Sequence, residues 1–117
     1  MTIECPITIL QRVVMQNDRT AIAASGACVT SGCNIFDSSG GALACTLAAP
    51  QPGDRCTLHV ETAGNDVVVT TASGVTFDGT NNTATADAAL EKLELVYESA
   101  TSWQIVANVG AVVLSSV

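Results

Sequence analysis

Large rings and charges are both scarce in this sequence. Aromatic residues make up 3% of the 117 positions and charged residues 13%, although hydrophobic residues reach 48%. Solvent-facing surfaces of small soluble domains usually carry about 25–35% charge. A chain this poor in charge is expected to hide part of its surface in subunit contacts. Positive charge is scarcer still: Arg12, Arg19, Arg55 and Lys92 are scattered along a chain of net charge −7. Phosphate contacts need clustered basic groups that release counterions, so no nucleic-acid partner is expected. The same acidity argues against an anionic membrane surface. Apolar runs such as residues 111–114 fall far short of the ~20 residues that span a bilayer. The opening Met1-Thr2-Ile3-Glu4-Cys5-Pro6 lacks the basic segment and unbroken apolar run of a signal peptide. The expectation is synthesis and folding in a reducing cytoplasm.

Histidine occurs once, at His59. Nucleophilic catalysis needs a base beside Ser or Cys. His59 lies in the alternating run 56–60, and no serine sits in a glycine elbow, so a surface or interface histidine is expected instead. Paired carboxylates for glycoside hydrolysis would have to come from Glu91 with Glu94, or Asp78 with Asp87. Solvated or turn roles are expected for all four. Ser38-Ser39-Gly40-Gly41 lacks the Lys and the Gly spacing of a phosphate loop. Asp78-Gly79-Thr80-Asn81-Asn82 offers oxygen ligands but neither the alternating acids nor the closing Glu of a calcium loop. It reads as a turn whose Asp and Asn bond their own backbone while Gly supplies positive φ. No enzymatic activity, cofactor or metal is expected.

The five cysteines, Cys5, Cys28, Cys33, Cys45 and Cys56, include no Cys-x-x-Cys pair. Zinc wants four Cys or His ligands in paired spacings. Cys45 and Cys56 fall in strand-like runs, where a buried thiol behaves as a small hydrophobe. Buried unpaired thiols are expected, with a Cys28–Cys33 bridge as the alternative.

What the chain does have is Ala, Val, Leu and Ile interleaved with Thr and Ser, residues that suit a pleated, tightly packed sheet. From residue 43 the pattern has period 2. Leu43-x-Cys45-x-Leu47 is a strand, followed by a Pro/Gly turn at 49–54. Further strands are read at 56–60, 67–71, 75–77, 83–86, 93–98, 103–107 and 110–114. Asp78-Gly79 is a tight-turn dipeptide. Residues 86–91 read as a turn despite their helix formers, because Leu93-x-Leu95-x-Tyr97 alternates directly after them. Several short strands at this spacing indicate an all-β fold, a small β-sandwich or a β-tulip-like barrel.

The first 42 residues read differently, as an extended N-terminal arm and a Gly/Ser-rich connection, with the β core domain at 43–117. Ile3, Ile7, Ile9, Val13 and Val14 are apolar but have no turn-linked partner strand nearby. A segment of that kind satisfies its backbone by adding to a sheet edge. Folding back onto its own domain is the alternative.

The ordered series Leu43 to Val60, Asn65-Asp66-Val67-Val68-Val69, Thr76-Phe77-Asp78-Gly79, Leu93-Glu94-Leu95-Val96-Tyr97 and Ser102-Trp103-Gln104-Ile105-Val106 resembles a β module of tailed-bacteriophage virion proteins. Head decoration (cement) proteins, head fibres and tail fibres carry it. The resemblance spans residues 42–114, and the five cysteines and the valine-rich third strand depart from it. It implies a structural protein without catalytic residues, located on the virion surface after synthesis in the host cytoplasm. A module standing nearly alone is expected to be a decoration protein. Such a protein binds the major capsid protein as a homotrimer and stabilises the shell, with the arm residues Ile3, Ile7, Ile9, Val13 and Val14 in contact with the capsid. The alternative is a head-fibre or tail-fibre adhesin binding host glycan, with Trp103 and Tyr97 as a sugar-stacking face. Core anchoring is the expected role of both rings.

Overall fold

The structure is a computed structural model and describes residues 19–117. The arm positions Ile3, Ile7, Ile9, Val13 and Val14, and Cys5 with them, lie outside the described residues.

The described residues form nine strands: β1 (Arg19–Ile22), β2 (Gly32–Asp37), β3 (Leu43–Leu47), β4 (Arg55–Thr62), β5 (Val67–Thr71), β6 (Thr83–Ala86), β7 (Lys92–Ser99), β8 (Ser102–Val109) and β9 (Val113–Ser115). They form a five-stranded sheet in the order β1-β2-β4-β7-β8 and a four-stranded sheet in the order β3-β5-β6-β9. Both are mixed. β1, β2 and β4 run parallel, as do β3 and β5, and the remaining pairs are antiparallel.

The period-2 strands explain the layering. β3 buries Leu43, Cys45 and Leu47 and exposes Ala44 and Thr46, while β4 buries Cys56, Leu58 and Val60. Each strand therefore offers one apolar face, and the two sheets bury these faces against each other. Phe36, Leu58, Val60 and Leu93 from one sheet line the same interlayer gap as Val67, Val69 and Ala84 from the other. The fold is a sandwich, as expected, and not a closed barrel, since β1, β8, β3 and β9 are the sheet edges among the described residues.

The β core begins before residue 43. The stretch read as an arm and connection supplies β1 and β2, and β2 pairs on both sides, with β1 and β4. Its polarity does not alternate. Asn34 and Phe36 point inward while Cys33 and Ile35 point outward, so both faces carry mixed character. Residues 75–77 depart in the other direction. Val75 and Phe77 are buried as a strand would have them, but the pairing shrinks to a single bridge between Thr76 and Ser102.

The loop after Phe77 is the self-bonded turn expected. The Asp78 carboxylate accepts from Thr80 N–H at 3.0 Å, Asn81 N–H at 2.7 Å and Asn81 Nδ2 at 2.8 Å. Gly79 supplies a φ of 91°, a conformation that costs most residues more. Partial desolvation pushes the Asp78 carboxyl up, but these hydrogen bonds outweigh it and hold the group below the usual aspartate range. A depressed carboxylate stabilises the fold above its unfolded pKa and loses that contribution as pH falls through its folded pKa. Asp78→Ala is therefore expected to lower the urea midpoint at neutral pH. The gap from the parent should narrow as pH falls below the ordinary aspartate range. A gap that stays constant with pH would assign the loop's stability to its backbone alone.

Candidate interaction surface

The two sheets differ in charge, although β8 of the five-stranded sheet also carries none. β3, β5, β6 and β9, the whole four-stranded sheet, contain no charged residue. Strand register lines up its outward residues in two rows. One runs Ala44, Val68, Thr85, Val113 and the other Thr46, Thr70, Thr83, Ser115. No side chain there is larger than Val. Ala44, Thr46, Val113 and Ser115 are exposed, Val68, Thr70 and Thr85 are half-buried between them, and Thr83 is buried. The result is a flat face of methyl and hydroxyl groups, able to pack closely and to exchange hydrogen bonds without desolvating any charge.

The outer face of the five-stranded sheet is the opposite. Arg19, Arg55 and Lys92, the three basic residues among those described, all occupy it, together with His59, Glu61 and Glu94. Arg19, Cys33, Ile35, Thr57, His59, Lys92 and Glu94 line a shallow open concavity. The charges pair locally, Arg19 with Glu61 at 3.6 Å and Lys92 with Glu94 at 3.5 Å. Both pairs are exposed, and such pairs contribute at most about 1 kcal/mol. His59 Nδ1 is buried and has no hydrogen-bond partner among the described residues.

The carboxylates considered for catalysis do not converge. Glu91 is buried, and its Oε1 accepts from Asp87 N–H at 2.7 Å and Ala88 N–H at 3.0 Å, tying down the 87–91 turn. Glu94 points outward beside Lys92, and Asp78 is spent on its own loop. Compared with models of protein families and with curated proteins, the chain matches none.

The aromatic pair weighed for glycan stacking is placed by the core. Trp103 has no exposed surface and its indole N–H donates to Ala48 O at 3.3 Å, while its cross-strand partner Tyr97 is half-buried. A fully buried indole presents no face to a sugar. Cys28, Cys45 and Cys56 are buried free thiols, so the Cys28–Cys33 bridge is not formed. Burial pushes the Cys28 thiol up to about 12 and raises Cys56 as well. Thiols so protonated are poor nucleophiles. Among the described residues no cluster of three His, Cys, Asp or Glu is arranged to hold a metal ion.

The uncharged face was missed when the sequence was read strand by strand. Charge alone does not sort the strands, because β8 of the five-stranded sheet has none either; the face emerges only from the strand order.

Proposed function

We propose that this chain is a capsid decoration protein of a tailed bacteriophage, a homotrimer that binds the major capsid protein on the outer capsid and stabilises the shell. The observation that supports it most is the charge-free outer face of the four-stranded sheet. In a chain of net charge −7, this is the face on which copies and coat subunits approach without like-charge repulsion. Its small side chains allow close packing over an interface of standard size, about 1,600 Å². Stabilisation needs no chemistry. Each docked trimer clamps neighbouring coat subunits, and binding energies accumulate over the lattice to oppose outward displacement by packaged DNA. The arm residues Ile3, Ile7, Ile9, Val13 and Val14 provide a second attachment by strand addition to a coat-protein sheet edge.

Placing a cation on the face tests the reading. Thr46 and Val113 are exposed at opposite edges of the four-stranded sheet, so Thr46→Lys and Val113→Lys leave the core intact. An unpaired charge desolvated at an interface costs about 2–5 kcal/mol. Each variant is expected to keep its circular dichroism spectrum but lose at least about thirtyfold in affinity for undecorated capsids, with weaker trimerisation in sedimentation. Thr57→Lys, on the opposite sheet, is expected to change neither. Undiminished capsid binding by both face variants would overturn the proposal.

A further inference from the structure

Two loops cross between the sheets side by side at one end of the sandwich. Residues 87–91 lead from β6 to β7, and residues 110–112 lead from β8 to β9. Gly110 lets them meet, since a Cβ there would stand 3.0 Å from Glu91 Cγ and 3.3 Å from Glu91 Cα. Each loop is also tied down separately. The buried Glu91 carboxylate accepts from Asp87 N–H and Ala88 N–H, and Leu90 N–H donates to Val60 O at 2.7 Å. In the other loop the Asn108 side-chain amide donates to Val112 O and accepts from Val112 N–H, both at 2.9 Å. Leu90 is held at a φ of 72° and Ala111 at 66°, the only non-glycine residues with positive φ among those described. A left-handed leucine is strained. It gains little packing in return, since 69% of its surface is exposed. Register sets Val109 opposite Lys92 and Val113 opposite Thr85, at the two feet of the 87–91 loop. Ala88, Ala89, Val109, Ala111 and Val113 are exposed as well, so the loops end in an apolar tip.

We propose that this tip, with Leu90 as its anchor, is part of the contact between copies of this chain. The contact rests on the self-association of the proposed function and extends it, because Val113 belongs both to the tip and to the charge-free face. Strain held at an exposed position by several independent bonds points to a use outside the monomer. An exposed apolar cluster marks an interaction site, and loops fixed before association lose little freedom on binding. Charge selects the partner. A foreign protein complements an acidic chain by bringing cations to its carboxylates. The two loops offer one exposed carboxylate, Asp87 at the margin, and residues 108–117 carry no charge. Such a surface suits a second copy, which shares the net charge of −7 and meets no repulsion there.

Sedimentation of the isolated full chain over a concentration series tests this without capsids. Leu90→Asn removes the apolar anchor and keeps a residue that tolerates the left-handed region. Leu90→Gly removes the anchor and the strain together. Both are expected to keep the parent's circular dichroism spectrum and to weaken self-association at least about tenfold, the scale of a leucine withdrawn from an apolar contact. Thr57→Lys, on the charged face, is expected to associate as the parent does. Unchanged association of both Leu90 variants overturns the proposal, and weaker association of Val113→Lys then leaves the charge-free face standing. Unchanged self-association with lost capsid binding also overturns it and assigns the tip to the coat protein. A parent that stays monomeric overturns it as well, and its affinity for undecorated capsids then decides the proposed function separately.

Discussion

Trp103→Ala is expected to cost about 3–5 kcal/mol, the scale of an emptied aromatic site in a close-packed core. That is a large share of the 5–15 kcal/mol by which domains of this size are stable. Three separate attachments converge on this residue. Its ring is wholly buried. Its indole N–H holds Ala48 O in the link from β3 to β4, and its backbone N–H donates to Thr76 O at 2.9 Å. With aromatics at 3% of the chain, few bulky side chains are at hand to relax into the space. Urea unfolding must be followed by far-UV circular dichroism, because the substitution removes the only tryptophan. Trp103→Phe keeps most of the packing and loses the bond to Ala48 O, a carbonyl of an exposed residue, and about 0.5–1.5 kcal/mol is expected. A loss under 1 kcal/mol for the alanine variant would remove Trp103 as the anchor of the sandwich.

Asn34→Leu, a substitution of similar volume that looks conservative for a buried site, is expected to cost about 2–4 kcal/mol. Asn34 has no exposed surface. Its Oδ1 accepts from Val29 N–H at 2.9 Å, and its Nδ2 donates to Val29 O at 3.1 Å and Thr57 O at 3.3 Å. Leucine fills the space but leaves Val29 N–H and Thr57 O without their Asn34 partner, while Val29 O keeps only the Cys56 thiol at 3.4 Å, and each unmet group costs about 1–3 kcal/mol. The loss falls on the 23–31 loop first. The alkylation rate of Cys28 should therefore rise at denaturant concentrations too low to unfold the sheets. Equal rates in the two proteins would show that the loop is held by its other bonds.

Most of the strands were legible because their burial is one-sided. Leu43, Cys45 and Leu47, or Leu93 and Leu95, alternate with polar or small neighbours, and that alternation survives in the fold. β2 was illegible for the complementary reason. Its fully buried inward position is Asn34, whose polarity is satisfied by a loop several residues away in sequence, and its outward positions include Ile35. Pattern reads polarity as exposure, and here a hydrogen-bond network inverts the rule. Sheet membership was illegible as well. Periodicity tells which face of a strand is buried but not which layer the strand joins. Only residues 63–66 separate β4 from β5, yet the two lie in different sheets. The uncharged surface could be recognised only once the layers were known.

That alternation between layers also governs how the molecule comes into being. β2, β3, β4 and β5 pass from one sheet to the other at every step, and β9, the last strand, completes the sheet that β3 began. Among the described residues, only β1 with β2, β5 with β6 and β7 with β8 pair strands that follow one another in sequence. An emerging polypeptide must hold β3 without its strand partner until β5 has been synthesised, and β6 keeps one edge open until β9 follows; loop closure comes before the contacts that reward it. Refolding is accordingly expected on the millisecond-to-second scale of non-local β topologies. During that interval the charge-free strands are the segments most open to pairing with other chains.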